Sequence, residues 1–470
     1  MLWWTLRGLR SSNPETRREA AQKAGASGNA RAVPALIEAM RDEDAHVRVA
    51  VMEALGRLGD PRAIEPLAGY LVNPVKKERR SKYEHHEAHD ITAAAMALSA
   101  LGEPAFQSLQ DALNSESREV RRASVQGLGA LRSPRVVEPL VHALNDSRSE
   151  VRKDAALALG DLGDRSALKG LSQALSHKDP DTRRAAAEAL GKLGGDDAVL
   201  LLARAVEDRE ESVQMAVIAA LKGISGASAA LSLKPALHGG RKTVRAAAAA
   251  ALKSMSFPAA TAEERAAIAV LTGDFAAAVR EGQVAAKALM EALSSADVQH
   301  RRLATSALGE LAPPKAVPSL IRALRDHDAE VRETAARALS GIGPEAVLPL
   351  LGALTSPDVT AQRLAAQALG RIGDIRAVRP LVECIRANRR AGAYYLEPLE
   401  AARAARDALS AILSRAADQI PADDLEKISS VPDAVREHQV GDDEQSYAEE
   451  IAVDCSELRN LSRSEIEKRA

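Results

Sequence analysis

Residues Asp181 to Gly194 read D-T-R-R-A-A-A-E-A-L-G-K-L-G, and residues Glu150 to Gly163 read E-V-R-K-D-A-A-L-A-L-G-D-L-G. Further copies of this pattern begin at Glu15, His46, Glu119, Glu330 and, more weakly, Thr360. One position, called the Val position below, recurs at intervals of 31 residues, at Val120, Val151, Thr182, Val213 and Val244. A fixed period of this length indicates a repeat protein.

Each copy predicts a long helix followed by a shorter one. Val151, Ala155 and Leu159 recur at four-residue steps, which places them on one helical face. The shorter helix carries a proline in its first turn, where no intrahelical hydrogen bond is lost, as at Pro66, Pro139, Pro349 and Pro380. Because one pair cannot bury its own apolar face, neighbouring pairs must stack.

Two glycines per copy have separate predicted roles. The glycine of A-L-G lets the next helix approach closely, at Gly56, Gly129, Gly160, Gly191 and Gly370. The second glycine lies where a left-handed C-terminal cap is expected, at Gly59, Gly163, Gly194 and Gly373.

The V-R-x-x-A-A-x-A-L-G-x-L-G core, present over roughly residues 10 to 415, resembles the repeats of the phycobilisome-lyase-type HEAT-like superfamily. The resemblance implies an all-α fold, a right-handed α-α superhelix (a HEAT-like solenoid). It also implies that the V-R helix lines the concave face. The spacing fits about 11–12 helical hairpins, followed by a small acidic non-repeat C-terminal segment.

The period is interrupted twice and then ends. Leu55 and Leu98 hold equivalent positions but lie 43 residues apart, which is 12 more than one period. We predict an N-terminal repeat arm (1–256, with an insertion at about 74–90), an inserted helix pair (257–283), a C-terminal repeat arm (284–418) and an acidic tail or capping segment (419–470).

Composition excludes several classes of function. Aromatic residues make up only 2% of the chain, so base-stacking platforms are not expected. The formal net charge of −2 provides no strong field for nucleic acid, which argues against such a partner. The two cysteines, Cys384 and Cys455, form no disulfide framework and fit a reducing compartment. We predict a cytoplasmic protein with no signal peptide and no membrane span.

No catalytic residue set, phosphate-binding glycine motif or cofactor site is recognisable. The strongest metal candidates are His85, His86 and His89, because His85 and His89 lie four residues apart on one helical face. Deoxyhypusine hydroxylases, which are HEAT-like, build a di-iron site from several His-Glu dyads. Only one such dyad, His86-Glu87, occurs here, and it lies 12 residues before Leu98, farther from A-L-G than in that family. A solvated helix start is the alternative interpretation.

Two basic residues follow the Val position in several copies, as in Arg17-Arg18, Arg121-Arg122, Arg152-Lys153, Arg183-Arg184 and Arg301-Arg302. The first member is predicted to pair with turn acids of the adjacent repeat. The second member has no evident structural partner. Arg122, Lys153 and Arg184 are therefore predicted to form a basic strip for an acidic peptide or phosphates, and Arg302 is the equivalent candidate in the C-terminal arm.

The strip ends at Met215 and Ala246, where the face becomes small and apolar. Two interpretations remain open: an apolar partner helix lies there, or the segment from Phe257 to Gly282 folds over it, which we favour. We also predict that Trp3 and Trp4 seal the core of the first repeat, with a membrane-touching end as the alternative.

These patterns favour a non-catalytic scaffold or adaptor that binds a protein partner, one carrying an acidic segment, along the concave face. Two alternatives follow from the resemblance. One is a phycobilisome-lyase-like chaperone or lyase acting on a tetrapyrrole-bearing protein. The other is a metal-dependent oxygenase of the deoxyhypusine-hydroxylase type. The sequence leaves enzymatic activity open but does not favour it.

Overall fold

The computed structural model describes residues 2–74, 85–391, 396–431 and 455–469. Throughout these ranges the regular structure is helical, and they contain no strand. The prediction of an all-α solenoid is confirmed. The chain divides into two compact units, Met1–Phe257 and Pro258–Ala470.

The first unit alternates long and short helices. They are α1 (Leu2–Gly8), α2 (Pro14–Ala26), α3 (Val33–Ala39), α4 (Ala45–Leu58), α5 (Ile64–Val72), α6 (His85–Ala100), α7 (Phe106–Ala112), α8 (Arg118–Leu131), α9 (Val137–Ala143), α10 (Ser149–Leu162), α11 (Leu168–Leu175), α12 (Pro180–Leu193), α13 (Gly195–Ala203), α14 (Glu211–Ile224), α15 (Ala227–Leu233) and α16 (Lys242–Ser254).

The second unit continues the alternation after an irregular start. Its helices are α17 (Ala262–Leu271), α18 (Phe275–Arg280), α19 (Ala286–Ala292), α20 (Val298–Leu311), α21 (Val317–Ala323), α22 (Ala329–Ile342), α23 (Val347–Leu354), α24 (Val359–Ile372), α25 (Val378–Ala391), α26 (Leu396–Ala416), α27 (Ala422–Ser429) and α28 (Ser456–Arg469).

In the first unit the long helices pack in chain order and the short helices form a second layer. For example, α10 lies between α8 and α12, and the short helix α9 packs against it. Val151, Ala155 and Leu159 of α10 are almost fully buried, as their four-residue spacing predicted. The core is thus a ladder of small aliphatic side chains in which each helix pair is buried by its neighbours.

The glycine of A-L-G sets how closely the long helices approach. A Cβ placed on Gly160 would lie 2.8 Å from Ala189 Cα, and one on Gly370 would lie 2.7 Å from Ala408 Cα. Real Cβ atoms do not approach backbone this closely, so any larger residue would push neighbouring helices apart. The predicted packing role is confirmed.

The second glycine ends most long helices as predicted. Gly59 and Gly163 have φ values of 69° and 72° with small positive ψ, the left-handed cap expected after a helix. Gly194 differs, because its φ of 66° is combined with a ψ of −171°. The next helix begins directly at Gly195, so the chain must extend at Gly194 rather than curl. The prediction of a left-handed cap there was wrong.

The irregular segments are partly visible. The insertion falls between the end of α5 at Val72 and the start of α6 at His85, and residues 75–84 lie outside the described residues. The segment 257–283 contains the two short helices α17 and α18. At the C-terminal end, α28 packs against α27 and α26. Residues 432–454, the centre of the acidic segment, lie outside the described residues.

The N-terminal tryptophans do not seal the core. Trp3 and Trp4 are 63% and 69% exposed and pack edge to face, with ring centroids 4.9 Å apart. Helix α1 packs against α2, and the two indole rings lie on the side of α1 that this packing leaves uncovered. The predicted sealing role was wrong.

Candidate partner-binding face

The first arginine after the Val position forms the same set of contacts in several repeats, here called the arginine clamp. In α12, Arg183 donates through Nη1 to the carbonyls of His177 (2.9 Å) and Lys178 (3.1 Å). Its Nε and Nη2 donate to the two carboxylate oxygens of Asp208, each at 2.8 Å. The pairs Arg17–Asp42, Arg121–Asp146 and Arg301–Asp326 repeat this geometry. The predicted structural role of these arginines is confirmed.

The clamp joins three pieces of chain: the turn before its own helix, the helix itself and the turn of the next repeat. Arg183 and Asp208 are 5% and 11% exposed, so their charges are mutually compensated within the stack. Burial acts to raise the pKa of Asp208. Hydrogen bonds from Arg183 and from the Glu210 backbone outweigh burial and hold that pKa below its ordinary value.

Two of the second basic residues, Arg122 and Arg184, do have structural partners, contrary to our expectation. Nε of Arg122 donates to Asp154 of the next repeat at 2.7 Å, although the Arg122 side chain remains 51% exposed. Arg184 lies 3.0 Å from Asp181 and 3.9 Å from Glu188 on its own helix. A basic residue and an acid three or four positions away meet on a helix, and this local pairing was overlooked.

Arg302 is the most strongly engaged member of this set. Its guanidinium bonds the Asp328 carboxylate through two nitrogens, at 2.8 and 2.6 Å, and lies 2.6 Å from Glu330. The hydrogen bond from Arg302 lowers the pKa of Asp328 to about 2. Lys153, by contrast, is half-buried and forms no ion pair with any residue in the described ranges.

The exposed side chains of the long helices α2 to α16 form the surface named here the long-helix face. On it, the position two residues after the Val position carries Arg122, Lys153, Arg184 and Met215 in four successive helices. Met215 is 40% exposed. Ala246, the next member of the row, is half-buried. The row therefore changes from basic to apolar along the stack, as the sequence predicted.

One feature of this face escaped the sequence analysis. Residues 212–262 contain no aspartate or glutamate, yet they carry six lysines and arginines. The stretch covers α14 to α16, where the long-helix face is apolar. The net charge of the whole chain is close to zero and does not show this local lack of acidic residues. Counting the acids segment by segment along the sequence does show it.

The histidine cluster lies at the start of α6. Only His89 has a described side chain, and it is exposed, whereas the side chains of His85 and His86 fall outside the described residues. Within the described part of the chain, no group of three histidine, cysteine or acidic side chains is placed to hold a metal ion. A metal site at His85, His86 and His89 stays a prediction.

Asp90, next to that cluster, has a structural role. It is 2% exposed and accepts hydrogen bonds from Arg48 and from the hydroxyl of Tyr70. Burial and the charge of Asp90 raise the pKa of Tyr70 to about 12, so its hydroxyl keeps its proton. Asp90 thereby anchors the start of α6 to the preceding repeat.

Comparison with known proteins shows partial relationships. The chain is 31% identical over 113 residues to phycocyanobilin lyase subunit alpha of Picosynechococcus sp. (strain ATCC 27264 / PCC 7002 / PR-6), covering 24% of this chain and 42% of that protein. A chain from the CpcE–CpcF complex of phycocyanin lyase of Nostoc sp. PCC7120 is 23% identical, with a TM-score of 0.27, covering 52% of this chain and 91% of that one.

A chain from the structure of Kap95p binding to RanGDP is 15% identical, with a TM-score of 0.41, covering 99% of this chain and 66% of that one. No helix in the described ranges is long and apolar enough to span a bilayer. The model of the PBS lyase HEAT-like repeat matches residues 361–386. The model of HEAT repeats matches residues 4–86, 106–175, 168–253 and 286–357, more than half of the sequence. The chain belongs to the HEAT-repeat family.

Proposed function

We propose that this chain is a non-catalytic scaffold or adaptor that binds a protein partner along the long-helix face. The observation that carries the proposal is the row of equivalent positions on successive long helices. Stacking fixes these positions in register, so an extended partner meets side chains at regular intervals. The resemblance to HEAT-like repeats supports the proposal that this layer lies on the concave side. We further propose a cytoplasmic setting, which the absence of a disulfide at Cys384 and Cys455 supports.

Within the row, Lys153 and Arg184 are the residues best suited to receive an acidic partner. Lys153 carries a charge that no described residue neutralises by ion pairing. Arg184 is paired only with acids that are themselves 59% and 42% exposed, a kind of pair that is easily exchanged. Arg122 and Arg302 contribute less, because each is held by a carboxylate that is less than one-fifth exposed.

The proposal is tested by reversing these two charges with Lys153→Glu and Arg184→Glu together. We expect capture of the partner from native lysate to fall about tenfold, with circular dichroism and thermal unfolding unchanged. Lys169→Glu is the matched control, because Lys169 is an exposed lysine on the short helix α11. Equal capture by the double variant and the wild-type protein would refute the proposed site.

A second candidate function is a chaperone or lyase acting on a tetrapyrrole-bearing protein. The partial match to phycocyanobilin lyase subunit alpha favours it. The purified chain would then bind phycocyanobilin and change its visible absorption spectrum. An unchanged spectrum at micromolar protein would remove this candidate.

A further inference from the structure

Helix α1 exposes a group of side chains named here the tryptophan patch, which consists of Trp3, Trp4 and Arg7. Trp3 and Trp4 are the only two tryptophans in the chain, in which aromatic residues make up only 2%. Both are more than 60% exposed, and their rings meet edge to face. Adjacent large aromatic rings left in water are typical of a surface that another molecule covers.

The other side of α1 holds the patch in place. Leu9 is 8% exposed, and a Cβ on Gly8 would lie 2.9 Å from the Cβ of Ala20 on α2, so the two segments approach closely there. Trp3 and Arg7 lie four residues apart, which puts them together on the outward side of α1. The patch is therefore presented by a helix that is packed on the first repeat.

A positive charge lies against both rings. The guanidinium carbon of Arg7 is 5.6 Å from the centroid of the Trp3 ring and 5.9 Å from that of the Trp4 ring. Both distances are within the range of a cation–π contact. Arg7 forms no ion pair with any residue that the structure describes. Its charge is therefore not neutralised by an acid and adds to the polarity of the patch.

The surrounding segment is also basic. Residues 1–14 contain two arginines and no aspartate or glutamate. The first acid in the chain, Glu15, lies 2.8 Å from Arg18. Arg10 lies 3.6 Å from Glu38, but these side chains are 83% and 73% exposed, so the pair is easily exchanged. The field around the two indole rings therefore favours an anionic partner.

The size of the patch argues against a protein partner. Each tryptophan side chain offers about 150–250 Å², so two rings exposed by roughly two-thirds offer about 200–330 Å². A stable protein interface buries about 800 Å² on each partner. A second copy of the chain fits poorly for another reason. A symmetric contact places the same residues opposite each other, so the two Arg7 side chains would approach and repel.

A lipid bilayer matches both the apolar and the charged parts of the patch. An indole ring has an apolar body and one N–H donor, which suits the boundary between acyl chains and headgroups. A guanidinium group binds phosphate oxygens. The cytoplasmic leaflet of a membrane carries anionic lipids that attract basic residues. A small surface is sufficient there, because membrane association of this kind is weak and reversible.

We propose that the tryptophan patch docks on the headgroup region of a bilayer that contains anionic phospholipid. Helix α1 then lies along the surface, with the rings of Trp3 and Trp4 among the headgroups and Arg7 and Arg10 near phosphate. The inference is independent of the proposed function, because it concerns α1 and not the long-helix face. A membrane contact at α1 leaves the partner-binding residues Lys153 and Arg184 untouched.

The test uses the full-length chain and vesicles of phosphatidylcholine with or without phosphatidylserine. Tryptophan occurs only in the patch, so tryptophan emission reports this site alone. Phosphatidylserine vesicles should shift the emission saturably to shorter wavelength, and lipid brominated near the top of the acyl chain should quench it. Phosphatidylcholine vesicles should bind at least about tenfold more weakly, because each arginine near an anionic surface contributes about fivefold.

Three results would overturn the inference. The first is an emission spectrum that neither vesicle changes. The second is equal binding to both vesicles, which would leave the arginines without a role. The third is a shift that grows with protein concentration in the absence of lipid, which would assign the patch to a second copy of the chain.

Variants then locate the contact by co-sedimentation with phosphatidylserine vesicles. Trp3→Ala combined with Trp4→Ala should weaken binding about tenfold or more, and Arg7→Gln about fivefold. These side chains are exposed, so circular dichroism and thermal unfolding should not change. Arg204→Gln is the control, because Arg204 is an exposed arginine at the end of α13. Unchanged binding by the double variant would overturn the inference. If that variant does not fold, quenching of the wild-type emission by brominated lipid decides.

Discussion

The junction between α12 and α14 and the junction between α14 and α16 join the same kind of long helix but differ in chemistry. At the first, Arg183 clamps Asp208 across the repeat boundary. One period later, Gln214 replaces the arginine and Gly239 replaces the aspartate. The Oε1 atom of Gln214 is buried without a hydrogen-bond partner. The same hairpin is thus built once with a charged clamp and once without.

The comparison distinguishes the aliphatic contacts that fold each repeat from the polar contacts that fix the repeat to its neighbour. Both junctions bury the same aliphatic ladder, with Leu190 and Leu221 fully buried in equivalent positions. The α14–α16 junction therefore stacks without the arginine clamp, through this aliphatic ladder and through the bonds that Arg241 and Thr243 donate to the Arg209 carbonyl and to Glu211. The clamp adds a directional link between successive turns. The clamp is lost at α14, near the start of the stretch 212–262 that contains no aspartate or glutamate.

The largest loss of stability is expected when the clamp at the α12–α14 junction is removed. Arg183→Ala leaves the buried Asp208 carboxylate without its cation, which costs about 3 kcal/mol. We expect a correspondingly lower urea midpoint and faster hydrogen exchange in α13 and α14. The matched control is Arg184→Ala, one residue away and 34% exposed, which should cost less than about 1 kcal/mol. Equal losses for the two variants would show that the clamp does not stabilise the junction.

The sequence predicted the clamp because arginine recurs beside the Val position and acids recur in the turns. It could not predict that Arg122 pairs with Asp154, because those residues are 32 apart and meet only through the stacking of α8 and α10. The conformation at Gly194 depends on where α13 begins, which no glycine pattern specifies. Nor does the pattern show which faces of α1 stay uncovered, so the exposure of Trp3 and Trp4 was missed.

A smaller effect is expected from building the clamp where it is missing. Gly239 has φ −60° and ψ 161°, which any residue adopts, and a Cβ there would lie 3.6 Å from Ala236 O, an ordinary contact. Gln214→Arg with Gly239→Asp should therefore stabilise the first unit by about 1–2 kcal/mol. Hydrogen exchange in α14 and α16 should slow.

The two single variants are the controls for this construction. Gln214→Arg alone adds a cation without its acid, and Gly239→Asp alone adds an acid without its clamp, so neither should stabilise the unit as the pair does. A coupling energy near zero in the double-mutant cycle would mean that the geometry of the first junction is not transferable to the second.

The smallest expected effect is the dependence of the clamp on pH. The pKa of Asp208 is lowered in the folded chain, since the hydrogen bonds from Arg183 and the Glu210 backbone outweigh its burial. In the unfolded chain an aspartate titrates near about 3.9. The stabilisation that the Asp208 carboxylate contributes is therefore complete at pH values above its unfolded pKa. It is lost as the pH falls from there through the folded pKa. The α14–α16 junction has Gly239 at this position and contributes nothing comparable.

Asp208→Asn isolates this contribution from that of the other carboxylates. Urea unfolding followed by circular dichroism should show wild-type protein more stable than the variant at pH 6, with the gap narrowing towards pH 3. The narrowing reflects the difference between the lowered pKa of Asp208 in the folded chain and its ordinary value in the unfolded chain. Asp161→Asn is the control, because Asp161 pairs with Lys192 at a site where its side chain is 66% exposed. A gap that stays constant with pH would mean that Asp208 stabilises the junction through its shape and hydrogen bonds rather than through its charge.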